Sequence, residues 1–120
     1  FLSNRTKEKA KDLQRMHPDL ELVDWGDTVK FDMIINATSL GLKEDDEIKL
    51  NYDDIGSNKF FYDVIYNPRE TRFLLKGKEL GNKIENGKTM FAYQAQLAFK
   101  IWHNIEPKVD DKVLQLLEND

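Results

Sequence analysis

Short apolar stretches alternate with amphipathic segments along the chain. Five stretches contain the β-branched, aliphatic and aromatic residues that are typical of strands. They are residues 1–3, 21–25, 31–36, 59–66 and 82–86. Residues 31–36 are mostly apolar rather than alternating, which is typical of a parallel strand buried on both faces.

Four further segments have the pattern of amphipathic helices. In residues 6–16 apolar side chains recur at intervals of three, and Pro18 ends the segment. Thr71 can cap a second helix that runs to Leu80. Two more helices are predicted over about 89–103 and from about residue 110 onward. Strands that alternate with helices predict an α/β fold with a parallel sheet and helices on its faces.

Size and composition narrow the class of protein. The 120 residues are 40% hydrophobic, which suits one domain over residues 1–120. A net charge of −4 argues against nucleic acid as a partner, and there is no cysteine. His17 and His103 have no metal-ligand spacing, so no metal site is predicted.

Two observations concern location and chain length. No apolar run approaches the ~20 residues that span a membrane, and no signal-peptide pattern is visible. We therefore expect a soluble, cytoplasmic protein without a membrane partner. The chain starts without Met and inside an apolar stretch, so we expect it to be a piece of a longer protein.

Small or polar residues follow the predicted strands, where ligands bind in open α/β sheets. They are Asn4, Arg5, Thr6, Lys9, Thr38, Ser39, Val64, Tyr66 and Gly87. A surface of this kind can admit the phosphates and ribose of a cofactor. Arg5 lies where an acid usually holds a ribose 2′-hydroxyl, and a guanidinium suits a 2′-phosphate instead, which points to NADPH. The alternative is a strand-to-helix turn with an exposed arginine.

Two further polar residues each allow two interpretations. Gln94 shares a helical face with apolar residues, and an unpartnered buried amide would cost roughly 1–3 kcal/mol. Either a backbone group satisfies it, or it binds a hydroxylated ligand at the sheet edge. Asp63, inside a predicted strand, is either functional or caps a neighbouring loop amide.

Four sequence words carry a resemblance to a known family. They read NRT..KA from Asn4, D.IINATSLG from Asp32, YDVIYNP.ET.FL from Tyr62 and G..M...QA..AF..W from Gly87. In this order and spacing they resemble the C-terminal, NADP-binding half of shikimate dehydrogenase. The resemblance implies a Rossmann-like parallel sheet with flanking helices, incomplete at its N-terminus.

The resemblance also implies a role for individual residues. Cofactor-binding positions are Asn4, Arg5, Thr6 and Lys9 at the 2′-phosphate, Thr38 and Ser39 under the ribose and nicotinamide, and Val64 and Gly87 at the nicotinamide. Substrate-binding positions are Tyr66 and Gln94. The family often has a second glycine where this chain has Thr89, so the backbone there is expected to be stiffer.

The function implied is NADPH-dependent reduction of 3-dehydroshikimate to shikimate in aromatic amino-acid biosynthesis. In the family the glycine-rich phosphate turn and the catalytic lysine and aspartate precede the residue that matches Phe1. This chain then holds no catalytic residue, and we expect it to be inactive alone. The alternatives are a non-catalytic assembly module and a quinate/shikimate dehydrogenase that uses NAD, against which Arg5 and Lys9 argue.

The family's strand order 3-2-1-4-5-6 predicts an unusual sheet here. Its central strand would precede Phe1, so the remaining strands should form two groups with a gap between residues 1–3 and 33–35. Three outcomes are open: the chain is part of a larger protein, residues 1–3 pair with the strand at Met33, or a homodimer forms through the open edges.

Overall fold

The computed structural model describes residues 1–117 as parallel strands joined by helices, which confirms the α/β class. The elements are β1 (Leu2–Ser3), α1 (Lys7–Met16), β2 (Leu22–Val23), β3 (Met33–Asn36), β4 (Phe60–Asp63), α2 (Arg72–Glu79), β5 (Lys83–Glu85), α3 (Lys88–His103) and α4 (Asp111–Leu116). A short 3-10 helix at Tyr52–Asp54, which the pattern did not predict, precedes β4. The last three residues of the predicted domain, 118–120, lie outside the described residues.

The strands form two separate parallel sheets. One pairs β1 with β2, and the other has the order β3-β4-β5. The predicted division into two groups is therefore confirmed. The predicted alternative, in which residues 1–3 pair with the strand at Met33, is wrong for residues 1–117, because β1 bonds only to β2 there.

The hydrophobic core lies on one face of the larger sheet. Phe61 of β4 is fully buried there against Phe73 and Leu74 of α2, together with Ile48 and Ile55 from the segment before β4. A Cβ atom at position 77 would lie 2.6 Å from Cγ of Phe61, so the glycine there lets α2 approach the sheet. The core thus fixes β4 and the loop that follows it.

The opposite sheet face and α3 stay open to solvent. Met33 and Ile35 of β3 are about half exposed, and Trp102 of α3 is 76% exposed. The radius of gyration is 16.5 Å, whereas a compact domain of this length has roughly 14 Å. Apolar surface of this extent predicts burial against further protein.

Helix ends agree with the sequence signals at two of the four helices. The Thr71 hydroxyl accepts a hydrogen bond from the backbone N–H of Leu74, and Asp110 caps α4 in the same way. Thr6 occupies the N-cap position of α1, but its side chain makes no capping bond. Thr89 lies in the first turn of α3. Within residues 1–117, no helix is long and apolar enough to cross a membrane.

Candidate functional site

A cavity of about 510 Å³ opens beyond the carboxyl ends of β1 and β3. We call it the cation-lined cavity. Six of the ten predicted site residues line it: Asn4, Arg5, Thr6, Lys9, Thr38 and Ser39. Residues that follow strands of two different sheets, at least 29 positions apart in sequence, therefore come together at one site.

The charge of this cavity favours an anion. Arg5, Lys9 and Lys43 line it, and within residues 1–117 none of them forms an ion pair. The carboxylate of Asp46, also in the lining, accepts hydrogen bonds from the backbone N–H groups of Gly41 and Lys43, at 3.3 and 3.1 Å. The N-terminus of α1, which carries a partial positive charge, is at the same place.

The loop before α1 is ordered by its own side chain. The Asn4 side-chain oxygen accepts a hydrogen bond from the backbone N–H of Thr6 at 2.8 Å. Lys7, in contrast, donates to the Asp24 carboxylate at 2.7 Å. This hydrogen bond and the attraction of the two charges raise the pKa of Lys7 and lower the pKa of Asp24. Lys7 is thus already paired and does not line the cation-lined cavity.

Six lining residues are not among the predicted site residues: Trp25, Ala37, Leu40, Leu42, Lys43 and Asp46. Lys43 lies in a charged segment, and nothing in its neighbours in sequence shows that this loop folds back over the ends of the strands. Trp25, which follows β2, was interpreted only as part of a strand. It also packs partly against the hydrophobic core, so it connects the cavity wall to the core.

A second group of predicted residues lies at the carboxyl ends of β4 and β5, outside the lining of that cavity. The backbone N–H of Gly87 donates to the carbonyl of Ile65 at 3.1 Å. A Cβ atom on Gly87 would lie 2.0 Å from the carbonyl oxygen of Val64, so only glycine fits. The ring of Tyr66 stacks on Phe91 of α3 with centroids 4.5 Å apart.

Gln94 does not have the environment that the helical pattern predicted. Its side chain is exposed, and Leu97 and Ile101 on the same face are 59% and 72% exposed. The premise of a buried amide is therefore wrong within this chain, because nothing described here covers that face of α3. Gln94 lies seven residues after Gly87, about 10 Å along the helix axis. Its role in binding substrate stays a prediction.

Asp63 lies at the centre of a buried hydrogen-bond network. Its carboxylate accepts from the backbone N–H of Ile65 at 3.0 Å, from the Thr71 hydroxyl at 2.7 Å and from the Asn36 amide at 3.1 Å. The capping interpretation of Asp63 is thus confirmed. The sequence words contain all of these residues, but only the register of β3 and β4, which places Asn36 beside Asp63, shows the network.

Another cavity, of about 620 Å³, lies at the opposite edge of the larger sheet, near the amino ends of β3 and β4. This cavity is larger than the cation-lined cavity, but it lies at the wrong edge of the sheet, because ligands of open α/β sheets bind at the carboxyl ends of strands. Its Lys59 is 3.6 Å from the carboxylate of Asp32, so the charges there are partly compensated. Across residues 1–117, no group of three or more His, Asp or Glu side chains is placed to hold a metal ion.

Comparison with known proteins connects this geometry to one family. No protein-family model matches the chain. It is 58% identical over 118 residues to the NADP(+) shikimate dehydrogenase of Pelagibacter ubique, which covers 98% of the chain and 44% of that protein. The chain thus spans less than half the length of this relative.

Two solved structures share the fold over 98% of the chain. Shikimate 5-dehydrogenase of Thermus thermophilus, in complex with NADP(H) and shikimate, has a TM-score of 0.80 and 28% identity, and the chain covers 44% of it. The 5-ketofructose reductase of a Gluconobacter strain, without ligand, has a TM-score of 0.78 and 30% identity, with 46% of it covered. The same architecture therefore occurs in proteins that are named for different substrates.

Proposed function

Because the chain belongs to the shikimate dehydrogenase family, we propose that it forms the NADP-binding domain of an enzyme that reduces 3-dehydroshikimate with NADPH. The observation that carries the proposal is the cation-lined cavity, where Arg5 and Lys9 meet Thr38 and Ser39. These four residues line one cavity although Arg5 and Ser39 are 34 positions apart in sequence.

The residues present fit NADP. Arg5 and Lys9, which form no ion pair within residues 1–117, supply positive charge for a 2′-phosphate, with Lys43 as a third cation of the same cavity. A phosphate carries about −1.5 to −2 charges near neutral pH, so it compensates most of this charge. Thr38 and Ser39 would lie under the ribose. When bound, the cofactor supplies the hydride that reduces a carbonyl group.

The second group of residues would hold the nicotinamide end. The missing side chain of Gly87 lets the start of α3 pack directly on the carbonyl of Val64, which a Cβ atom would prevent. Tyr66 and Gln94 would contact the substrate beyond it. The lysine and aspartate that move the proton are expected outside this chain, so its own contribution is cofactor binding and one wall of the substrate site.

A second candidate function rests on the structural similarity to 5-ketofructose reductase. Both candidates reduce a carbonyl group, and they differ in the substrate. The 58% identity to an NADP(+) shikimate dehydrogenase favours the first. The cationic cavity also argues against an NAD-specific quinate/shikimate dehydrogenase, since a 2′-hydroxyl needs no cation.

Steady-state kinetics of the full-length protein test the proposal. Loss of NADPH absorbance would be followed with 3-dehydroshikimate and, separately, with 5-ketofructose, and the reverse reaction would be measured with shikimate and with quinate. We expect the highest kcat/KM for 3-dehydroshikimate with NADPH. A higher value for 5-ketofructose, or a preference for NAD with quinate, would overturn the substrate assignment. No turnover with any of the four would favour a non-catalytic module.

A cytoplasmic location and a homodimer stay predictions. Cell fractionation checks the first, and light scattering of the purified full-length protein checks the second. The open faces of β3 and α3 are the surfaces on which further protein would pack.

A further inference from the structure

We propose that Asn36 and Asp63 are positioning residues. They hold the loop that follows β3 and the loop that follows β4 in one fixed arrangement. The proposal rests on the proposed function, because it concerns the loops that would contact NADP. Asn36 is the last residue of β3 and Asp63 is the last residue of β4, and the two are direct neighbours in the sheet. They are 3% and 0% exposed.

Asp63 determines which way the Asn36 amide points. Every contact of the Asp63 carboxylate is with a donor: the Asn36 amide nitrogen, the backbone N–H of Ile65 and the Thr71 hydroxyl. The NH₂ group of Asn36 faces both carboxylate oxygens, at 3.1 Å, and its amide oxygen does not. The same NH₂ group also donates to the carbonyl of Leu40 at 2.9 Å. The amide oxygen of Asn36 is thereby directed to the opposite side.

That oxygen fixes the first loop. It accepts from the backbone N–H of Thr38 at 3.0 Å and from the Thr38 hydroxyl at 2.8 Å. The hydroxyl oxygen in turn accepts from the backbone N–H of Leu40 at 3.1 Å. The hydrogen of the Thr38 hydroxyl is therefore committed to Asn36, and these hydrogen bonds define the conformation of the loop before Ser39.

The same pair fixes the second loop. The backbone N–H of Val64 donates to the carbonyl of Asn36 at 3.0 Å, and the N–H of Ile65 donates to Asp63. Val64 is the residue whose carbonyl lies against Gly87. The two groups of predicted site residues, which line different parts of the surface, are thus connected through Asn36 and Asp63.

Swapping the hydrogen-bond donor and acceptor between positions 36 and 63 of the full-length protein tests this pair. Asp63→Asn places an NH₂ group among donors, and Asn36→Asp places two carboxylates side by side. We expect each to raise the Kd for NADPH about tenfold or more, which corresponds to one misplaced buried hydrogen bond. The double variant Asn36→Asp/Asp63→Asn restores one donor facing one acceptor, and it should recover much of the affinity.

A control separates positioning from stability. Thr71→Val removes the hydrogen bond that the N-cap residue of α2 donates to the same carboxylate, while the hydrogen-bonding groups of Asn36, Thr38 and Ile65 stay unchanged. It should lower the melting temperature and leave the Kd for NADPH unchanged. Affinity that falls in parallel with melting temperature in all four variants, Thr71→Val included, would overturn the positioning role, and so would single variants that bind NADPH like the wild type.

Hydrogen exchange of the wild-type protein keeps the proposal testable if the buried variants do not fold. The backbone amides of Thr38, Leu40 and Ile65 should be protected in the absence of NADPH, because each donates into the network. Exchange at the rate of an open loop would refute pre-organisation. If the wild type binds NADPH but does not reduce 3-dehydroshikimate, the proposed function fails while the Kd comparison remains valid.

Discussion

Removing the guanidinium of Arg5 tests the cofactor assignment in the most selective way. Arg5 lines the cation-lined cavity and forms no ion pair within residues 1–117. Its whole charge is therefore available to a ligand. A hydrogen bond to a charged partner contributes about 1.5–3 kcal/mol, and because Arg5 is exposed we expect the lower part of this range. Arg5→Ala should then weaken NADPH binding roughly 10–30-fold.

NADH supplies the reference ligand for this prediction. It has a hydroxyl where NADPH has the 2′-phosphate, so its Kd should change by less than about threefold. The effect on NADPH should also shrink as salt is added, since screening weakens exposed charge pairs. Equal losses for NADPH and NADH would refute the assignment of Arg5 to the 2′-phosphate.

The chain offers a matched control at Lys7, the first residue of α1. Lys7→Ala removes a cation two residues from Arg5, but Lys7 is already paired with Asp24 and lies outside the cavity lining. We expect no change in the Kd for NADPH.

Trp25 provides the signal for these binding measurements, because it lines the cavity and its fluorescence should respond to cofactor binding. Trp102→Phe removes the second tryptophan of this chain, which is 76% exposed on α3.

Three further predictions follow from individual contacts. Gly87→Ala should abolish most activity, because its Cβ atom would lie 2.0 Å from the carbonyl oxygen of Val64; kinetics together with a melting curve check this. Gln94→Ala should raise the KM for substrate while the Kd for NADPH and the melting temperature stay unchanged; a loss of several degrees with a normal KM would contradict it. Burial, with a smaller effect of Glu47, raises the pKa of Tyr52 from 10.0 to about 12. Its contribution to stability is therefore full below pH 10 and is lost as the pH rises towards 12, so the stability difference between wild type and Tyr52→Phe should shrink over that interval.

The helices and strands could be predicted because capping residues and the spacing of apolar residues are signals within short stretches of the chain. Thr71 caps α2 as expected, and the division of the strands into two sheets followed from the family's strand order. The cation-lined cavity was predicted only in part. Arg5 was found because it directly follows a strand, whereas Lys43 reaches the cavity through a loop whose course depends on tertiary packing.

Gln94 and Asp63 show the other limits of the sequence pattern. A helical apolar stripe indicates one common face, but it does not identify what covers that face, and Gln94 proved to be exposed. The partners of Asp63 come from β3, the β4 loop and the start of α2. Only strand register brings Asn36 beside it, and register cannot be read from the spacing of residues within one strand.

A crystal structure of the full-length protein with NADP⁺ tests the central claim most directly. The measurement is the distance from the 2′-phosphate oxygens to the side-chain nitrogens of Arg5 and Lys9. The account predicts ion-pair contact, within about 4 Å, with the ribose over Thr38. A 2′-phosphate bound instead near Lys59, at the amino ends of β3 and β4, would contradict it.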